Sequence, residues 1–228
     1  MKNIRIVIDG PAGAGKSTIS KIAAKELGFV YIDTGAMYRA VGLKALRAGI
    51  DTKNNHAAVI SLMDGVAIDI KHGGDGQLVY LDGEDVTAEL RTPEVSIAAS
   101  DVSAIPEVRL KLVALQRRLA EKDNIVMDGR DIGSYVLPDA EVKIFLTASV
   151  EDRAKRRHDE LSEKGIQVSL DEVRSDMEYR DKNDSARDFA PLKIADGAMV
   201  IDTTGNSLEQ SVDLLIGTIK ERLRCFSR

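Results

Sequence analysis

The sequence predicts an α/β fold of three layers, a central parallel sheet flanked by helices, with a small antiparallel β insert and a helical lid. Three observations carry this prediction. Short apolar runs alternate with amphipathic helical stretches along most of the chain, the pattern of parallel strands covered on both faces. The first apolar run leads into a glycine-rich loop and then a helix. One stretch, from about Val66 to Glu89, abandons the helical rhythm for alternating apolar residues around Gly and Asp turns, as an antiparallel hairpin requires.

Ile4-Arg-Ile-Val-Ile8 reads as the first strand, and Lys16 to Leu27 as a helix whose apolar stripe is Ile19, Ile22, Ala23 and Leu27. Gly28 stops that helix. Phe29-Val-Tyr-Ile32 is a second strand, and Ala36 to Ala48 a second helix ended by Gly49. The insert comprises strands Val66–Ile70 and Gln77–Leu81, the turn Lys71–Gly76, and a further turn at Asp82-Gly83. Asn124–Asp128 and Val142–Leu146 are short apolar runs next to long charged helical patterns, Ala198–Asp202 is another strand, and Leu208–Leu223 a last helix. The expected division is a core of residues 1–64 and 96–228, a lid at about 153–168, and the insert at 65–95.

Composition bounds the function. With 43% hydrophobic and 30% charged residues in 228, the chain reads as a soluble globular protein with a sizeable core. Aromatics are 4% and Trp is absent, so that core is mostly aliphatic. A net charge of −5 argues against broad nucleic-acid binding. Cys225 is the only cysteine, which excludes a disulfide framework and a cysteine metal site. His56, His72 and His158 are dispersed without ligand spacing. The apolar runs are too short for a membrane span or a secretory core, so the expected location is the cytoplasm, with no membrane partner.

Gly10-Pro-Ala-Gly-Ala-Gly-Lys-Ser17 matches G-x-x-x-x-G-K-[ST], a P-loop. Its glycines let successive N–H groups curl toward phosphate oxygens, and the helix from Lys16 adds the positive end of its dipole. Lys16 would reach the β- and γ-phosphates, and Ser17 would ligate Mg²⁺. An ordinary glycine-rich turn shares the composition, but the preceding strand and following helix are the setting that the motif needs. Asp128 ends a strand as a Walker-B carboxylate would, and Asp33 ends another. A cap or turn role would place Asp at either position equally well.

A P-loop alone does not distinguish a switch, a motor and a kinase. The guanine-reading N-K-x-D pattern is absent, and the chain is short for a motor. Arginines, meanwhile, gather near strand ends. Arg39 lies one turn into the helix after the second strand, and Arg130 just beyond Asp128. Arginine's planar fork suits phosphate, so two of them at the ligand-binding edge of the sheet fit a second phosphorylated ligand. Arg153, Arg156 and Arg157 share one helical face, as do Arg180, Asp184 and Arg187. Spacing alone also allows solvated, salt-bridged faces there.

Taken together, these motifs resemble those of the bacterial cytidylate kinases. The likeness rests on Ile8–Ser17, Asp33-Thr-Gly-Ala-Met-Tyr-Arg39, Ser100 with Pro106-Glu-Val-Arg109, Asp128-Gly-Arg-Asp-Ile-Gly133, Phe145–Ser149, Arg153-Ala-Lys-Arg-Arg157, and Arg180–Arg187 leading to Ala190-Pro-Leu192. It spans nearly the whole chain. Ser134-Tyr-Val-Leu137, after Gly133, departs from the family pattern outside the expected pocket.

The resemblance implies transfer of the γ-phosphoryl group of ATP to CMP or dCMP, with Mg²⁺ as cofactor, in a monomer. ATP would be bound by Gly10, Pro11, Ala12, Gly13, Ala14, Gly15, Lys16, Ser17 and Thr18. The metal would be held by Ser17, with Asp33 or Asp128 acting through water. CMP would be bound by Thr34, Tyr38, Arg39, Ser100, Arg109, Arg130, Asp131, Arg180, Asp184 and Arg187. Of these, Ser100, Arg109 and Asp131 would read cytosine, Arg180 and Asp184 the ribose, and Arg39, Arg130 and Arg187 the phosphate. Lys16, Arg130, Arg153 and Arg157 would be catalytic, the last two from the lid.

The chemistry agrees with that assignment. A carboxylate accepts from cytosine N4, and an arginine donates to N3 or O2. Uracil would leave both contacts unpaired, which a buried site penalises strongly. Two other readings compete. One is a different small-molecule P-loop kinase, for shikimate, gluconate or another nucleotide; the other is a nucleotide-dependent binding protein without turnover. The arginine-rich acceptor side favours a phosphorylated acceptor over the first. The second needs every one of these arginines to be a mere salt bridge.

Overall fold

A computed structural model describes residues 3–73 and 76–226. Gly74 and Asp75, in the expected Lys71–Gly76 turn, lie outside the described residues, as does the side chain of Cys225. Five parallel strands form the central sheet: β1 (Arg5–Asp9), β2 (Val30–Asp33), β6 (Ile125–Gly129), β7 (Val142–Thr147) and β8 (Met199–Asp202), in spatial order β2-β6-β1-β7-β8. All five expected core strands are present, shifted by a residue or two at their ends. A second, antiparallel sheet comprises β3 (Ile68–Gly73), β4 (Gly76–Leu81) and the short β5 (Glu84–Asp85).

Alternation along the strands builds the layers. On one face, Val7, Ile125 and Met127 pack with Met37 and Val41 of α2 (Thr34–Arg47) and with Val108 and Leu112 of α5 (Pro106–Ala120). On the other, Ile6, Ile8, Val126, Ile144 and Leu146 meet Ile19 and Ala23 of α1 (Lys16–Leu27) and Leu215 and Ile219 of α8 (Leu208–Phe226). The expected aliphatic core is thus split by the sheet into two clusters.

Helices α3 (His56–Met63) and α4 (Pro93–Ser103) fall where the sequence reading assigns no element. Both carry ordinary start signals. Asn55 caps Ala58 N at 3.2 Å, and Thr92 caps Val95 N at 3.3 Å with Pro93 at the first helical position. Their short apolar stripes gave too little periodicity to stand out.

The antiparallel sheet has no separate core. Its inner residues Ile68, Val79 and Leu81 join the cluster of Met37 and Val41. Helices α6 (Val150–Glu163) and α7 (Leu170–Ala186) form a hairpin over the far end, held by a small cluster of Ala154, Leu161, Val173 and Met177. A π-helical turn, Ile132–Val136, follows β6. It holds Ser134, Tyr135 and Val136 of the residues that depart from the family pattern, with Leu137 just after it and Tyr135 edge-on to Phe189 at 4.9 Å between centroids.

Because the strands are parallel, their carboxyl ends meet at one edge. The register pairs Asp33 with Asp128 and Asp9 with Gly129. The loops that follow β1, β2 and β6 open side by side there.

Candidate active site

The loop after β1 is shaped by backbone conformations that side chains resist. Gly10 has φ of 151°, and a Cβ there would run into the Leu146 carbonyl oxygen of β7. Gly15 caps α1 in the left-handed region at φ 82°. With no acidic residue in its first turn, α1 keeps its N-terminal amides and dipole for an external anion.

Lys16 is only 5% exposed, and its Nζ donates to the Pro11 carbonyl at 2.6 Å. Burial, then the neighbouring Arg130, pulls its pKa well below the ordinary value. Such an under-compensated ammonium is stabilised by added negative charge.

Behind the loop, Arg153 and Asp181 bracket Ala12. The Ala12 N–H donates to Asp181 Oδ1 at 3.1 Å, while Arg153 Nη1 donates to the Ala12 carbonyl at 2.8 Å and to Asp181 Oδ2 at 2.6 Å. Arg153 also donates to the Ala148 carbonyl at 3.0 Å. Its guanidinium is bonded to the back of the loop, and Arg153 does not line the cavity. Arg156 and Arg157 do line it. Arg156 is held by Thr203, through Oγ1 at 3.1 Å and the carbonyl at 2.6 Å, and Arg157 by Glu160 at 2.8 Å. The three arginines therefore point to three places and make no common solvated face.

Two carboxylates meet beside Ser17. Asp128 accepts from Ser17 Oγ at 2.9 Å and from the Tyr31 hydroxyl at 2.8 Å. Burial, then Asp33, pushes its pKa up to about 6. Asp33 caps α2 through Ala36 N at 3.0 Å and pairs with Arg39 Nη2 at 2.6 Å. Thr34 ties the two strand ends together by donating to the Asp128 carbonyl at 2.8 Å.

The opposite wall is built on the loop after β6 and the facing helices. Arg109 is fully buried; it pairs with Asp131 and donates to the Ser103 carbonyl at 3.1 Å. The Tyr38 ring lies 5.6 Å from its guanidinium carbon. Ser103 also accepts from Arg187 at 3.3 Å through Oγ, and its own hydroxyl donates to the Ser100 carbonyl at 2.8 Å. Asp9 grips the loop itself, accepting from Ile132 N at 2.9 Å and Gly133 N at 2.7 Å.

Next to this pair lies a knot of charge. Asp184 accepts from Arg130 Nε at 2.7 Å, and Arg187 approaches it at 3.8 Å. Burial works to raise the Asp184 pKa, but Arg130, Arg187 and Arg180 outweigh it and hold the carboxyl below its ordinary value. Burial, then Arg130, lowers Arg180 to about 10. Four arginines keep a buried N–H with no partner among the described residues: Arg39 Nε, Arg109 Nε, Arg180 Nε and Arg187 Nη2. Buried donors are normally paired, so these four are departures from the rule, on arginines that line the cleft.

Most of these groups line one cleft of about 600 Å³, while Asp9, Tyr31, Arg153 and Asp181 stand behind its wall. Gly13 to Thr18 form one side; Ser100, Arg109, Arg130, Asp131, Arg180, Asp184 and Arg187 form the other, with Thr34, Tyr38 and Arg39 between. Gly10, Pro11 and Ala12 make the stem of the loop and do not line the cleft. Asp9, Ser103, Asp181 and Arg156 were not among the candidate residues. Asp9 carried the same signal as Asp33 and Asp128, an Asp closing an apolar run. Asp181 carries none, because its partners Ala12 and Arg153 lie far away in sequence, and Ser103 carries none, because an isolated serine in a helix has no motif.

Among the described residues, no helix is long and apolar enough to cross a membrane. A family model described as cytidylate kinase matches residues 6–221. The chain is 56% identical to a cytidylate kinase of Caldicellulosiruptor saccharolyticus, over 92% of each chain. It is 52% identical to a cytidylate kinase of Geobacillus sp., over 97% of this chain and 98% of that one. Among solved structures, an uncharacterized protein from Eubacterium ventriosum matches with a TM-score of 0.54 at 17% identity, covering 96% of this chain and 99% of that one, a likeness of fold.

Proposed function

The chain belongs to the cytidylate kinase family, and on that premise we propose that it transfers the γ-phosphoryl group of ATP to CMP or dCMP, giving ADP and CDP or dCDP. The observation that carries the proposal is the gathering of Arg39, Arg109, Arg130, Arg180 and Arg187 around the same cleft as the phosphate loop. A nucleoside monophosphate supplies acceptors of each kind they need, in its base, ribose and phosphate.

ATP would lie along Gly10 to Thr18, with Lys16 and the loop amides on its phosphates and Arg156 and Arg157 over them. Arg153 serves by holding the loop. On the acceptor side, Asp131 accepts from cytosine N4, Arg109 donates to N3 or O2, and Ser100 completes the set. Arg180 and Asp184 take the ribose; Arg39, Arg130 and Arg187 take the phosphate, with Thr34 and Tyr38 forming the floor.

A divalent metal, Mg²⁺ in this proposal, fits the residues present. Ser17, Asp128 and Asp33 offer hard oxygen donors, and the burial and Asp33 repulsion that raise Asp128 are offset by a cation. Mg²⁺ prefers such partial protein ligation together with water and phosphate oxygens. When bound, it offsets charge on the phosphoryl group being transferred.

No strong general base is required. A phosphate monoester is largely ionised at neutral pH, its second pKa being about 6, so the acceptor oxygen is already a nucleophile. Catalysis then rests on positioning and charge compensation. Arg130 can hold the acceptor while Lys16 follows the transferring group. The lid, about residues 153–168, which takes in most of α6 and the connection to α7, excludes water so that ATP is not hydrolysed. Residues 65–95 act as an insert on the monophosphate side of a core formed by 1–64 and 96–228. We place the enzyme in the cytoplasm as a monomer.

A coupled ADP-release assay with ATP and Mg²⁺ tests the proposal against CMP, dCMP, UMP, AMP and shikimate. Release with CMP or dCMP above the others is expected. Release with shikimate, or with UMP equal to CMP, would redirect the acceptor assignment. No release with any acceptor would leave a nucleotide-binding protein without turnover.

A further inference from the structure

β2 is an edge strand of the main sheet, and an edge leaves outward N–H and C=O groups without a ladder partner. In β2 those groups belong to residues of like parity, Tyr31 and Asp33. Two side chains of the insert cover them. Gln77 acts as a peptide group would: its Oε1 accepts from Asp33 N–H at 2.9 Å, and its Nε2 donates to the Asp33 carbonyl at 3.2 Å. His72 Nε2 meets the Tyr31 carbonyl at 2.9 Å. His72 and Gln77 are direct cross-strand partners in the β3–β4 hairpin, so they stand side by side. One rung of the hairpin thus substitutes for the missing strand.

What the rung holds is the residue on which the acceptor side turns. Asp33 is the last residue of β2 and the cap of α2. Its carboxylate pairs with Arg39. Fixing the Asp33 peptide groups fixes the direction of its carboxylate, the start of α2 and the placement of the Arg39 guanidinium. Arg91, from the turn that closes the insert, approaches the same carboxylate at 3.7 Å.

We infer that the Gln77–His72 rung is a clasp registering the insert to the main sheet, and that Gln77 is a positioning residue for acceptor-phosphate binding through Asp33 and Arg39. The inference rests on the proposed reading of Arg39 as a phosphate ligand. The clasp is separable from folding, because the hairpin keeps its own ladder and its apolar face of Ile68, Val79 and Leu81 in the core.

The test is steady-state kinetics on Gln77→Met, which keeps the length and loses both hydrogen bonds, and on His72→Ala, an exposed site. Losing two hydrogen bonds should raise the CMP KM about tenfold in Gln77→Met, and losing one about threefold in His72→Ala. The ATP KM and the melting temperature should stay near wild type. If Gln77→Met does not fold, the His72→Ala result decides. An unchanged CMP KM in both variants, or a parallel rise in the ATP and CMP KM, overturns the inference. Arg39→Ala separates the two claims. If it too leaves the CMP KM unchanged, the acceptor-site reading has failed; if it raises the CMP KM while the clasp variants do not, the clasp alone has failed.

Discussion

Arg109 donates to Asp131 inside a pocket that leaves the arginine 0% exposed and the aspartate 4% exposed. Arg109 on α5 and Asp131 after β6 thus hold each other in place. A buried pair of this kind adds little net stability, but removing one partner strands the other charge. In the proposed function this pair is the acceptor–donor edge that meets cytosine.

Asp131→Ala should therefore do two things. Stranding Arg109 should cost on the order of 3–5 kcal/mol of stability, read by denaturant titration. CMP turnover should fall by roughly 100-fold or more while ATP affinity is kept. Unchanged CMP turnover in a folded variant would remove Asp131 from base recognition.

Lys16→Ala should reduce kcat by about 10²–10³, the effect of losing one preorganised donor to developing charge. Because Lys16 is buried with its pKa held low, the variant should be no less stable than wild type in thermal melts. Near-normal turnover would sink the phosphate-loop reading.

Asp181→Asn tests the brace behind the loop. Asp181 touches Ala12 N and Arg153 and is absent from the cleft wall. Weakening those bonds should raise the ATP KM about five- to tenfold and leave the CMP KM alone. A selective rise in the CMP KM would show that the brace serves the other substrate.

Asp9 makes stability depend on pH. Burial, the largest cause, pushes its carboxyl from 3.8 up to about 7, while the Gly133 and Ile132 amides pull the other way. The folded pKa lies above the unfolded one. The group's favourable contribution is then complete below about pH 4 and is lost as pH rises through about 7. The melting temperature of wild type minus that of Asp9→Asn should fall steadily across this window. A difference independent of pH would mean that the carboxyl ionises as easily in the fold as in the unfolded chain.

The gathering of the candidate residues at one edge was largely legible in the sequence, because they stand at strand ends. Gly10 to Ser17, Asp33, Asp128 and Arg130 each close or follow an apolar run, and parallel strands bring such positions to one edge. Where Arg153 reaches was not legible, for a definite reason. Helical spacing puts it with Arg156 and Arg157, but spacing does not say which neighbour a long side chain reaches, and Asp181 and the Ala12 carbonyl claim it. His72 had no ligand spacing, and its partner is a backbone carbonyl 41 residues away.

By itself the sequence determined the layer order, the phosphate loop and the set of arginines, since these follow from local periodicity and a short contiguous motif. Only the tertiary structure decided which charges meet: Arg109 with Asp131, Arg130 with Asp184, Arg153 with Asp181, Gln77 with the edge of β2. Those pairings join residues from different elements, and the low-dielectric interior makes each one consequential. Local pattern fixes where a side chain starts, whereas packing fixes what its far end can reach.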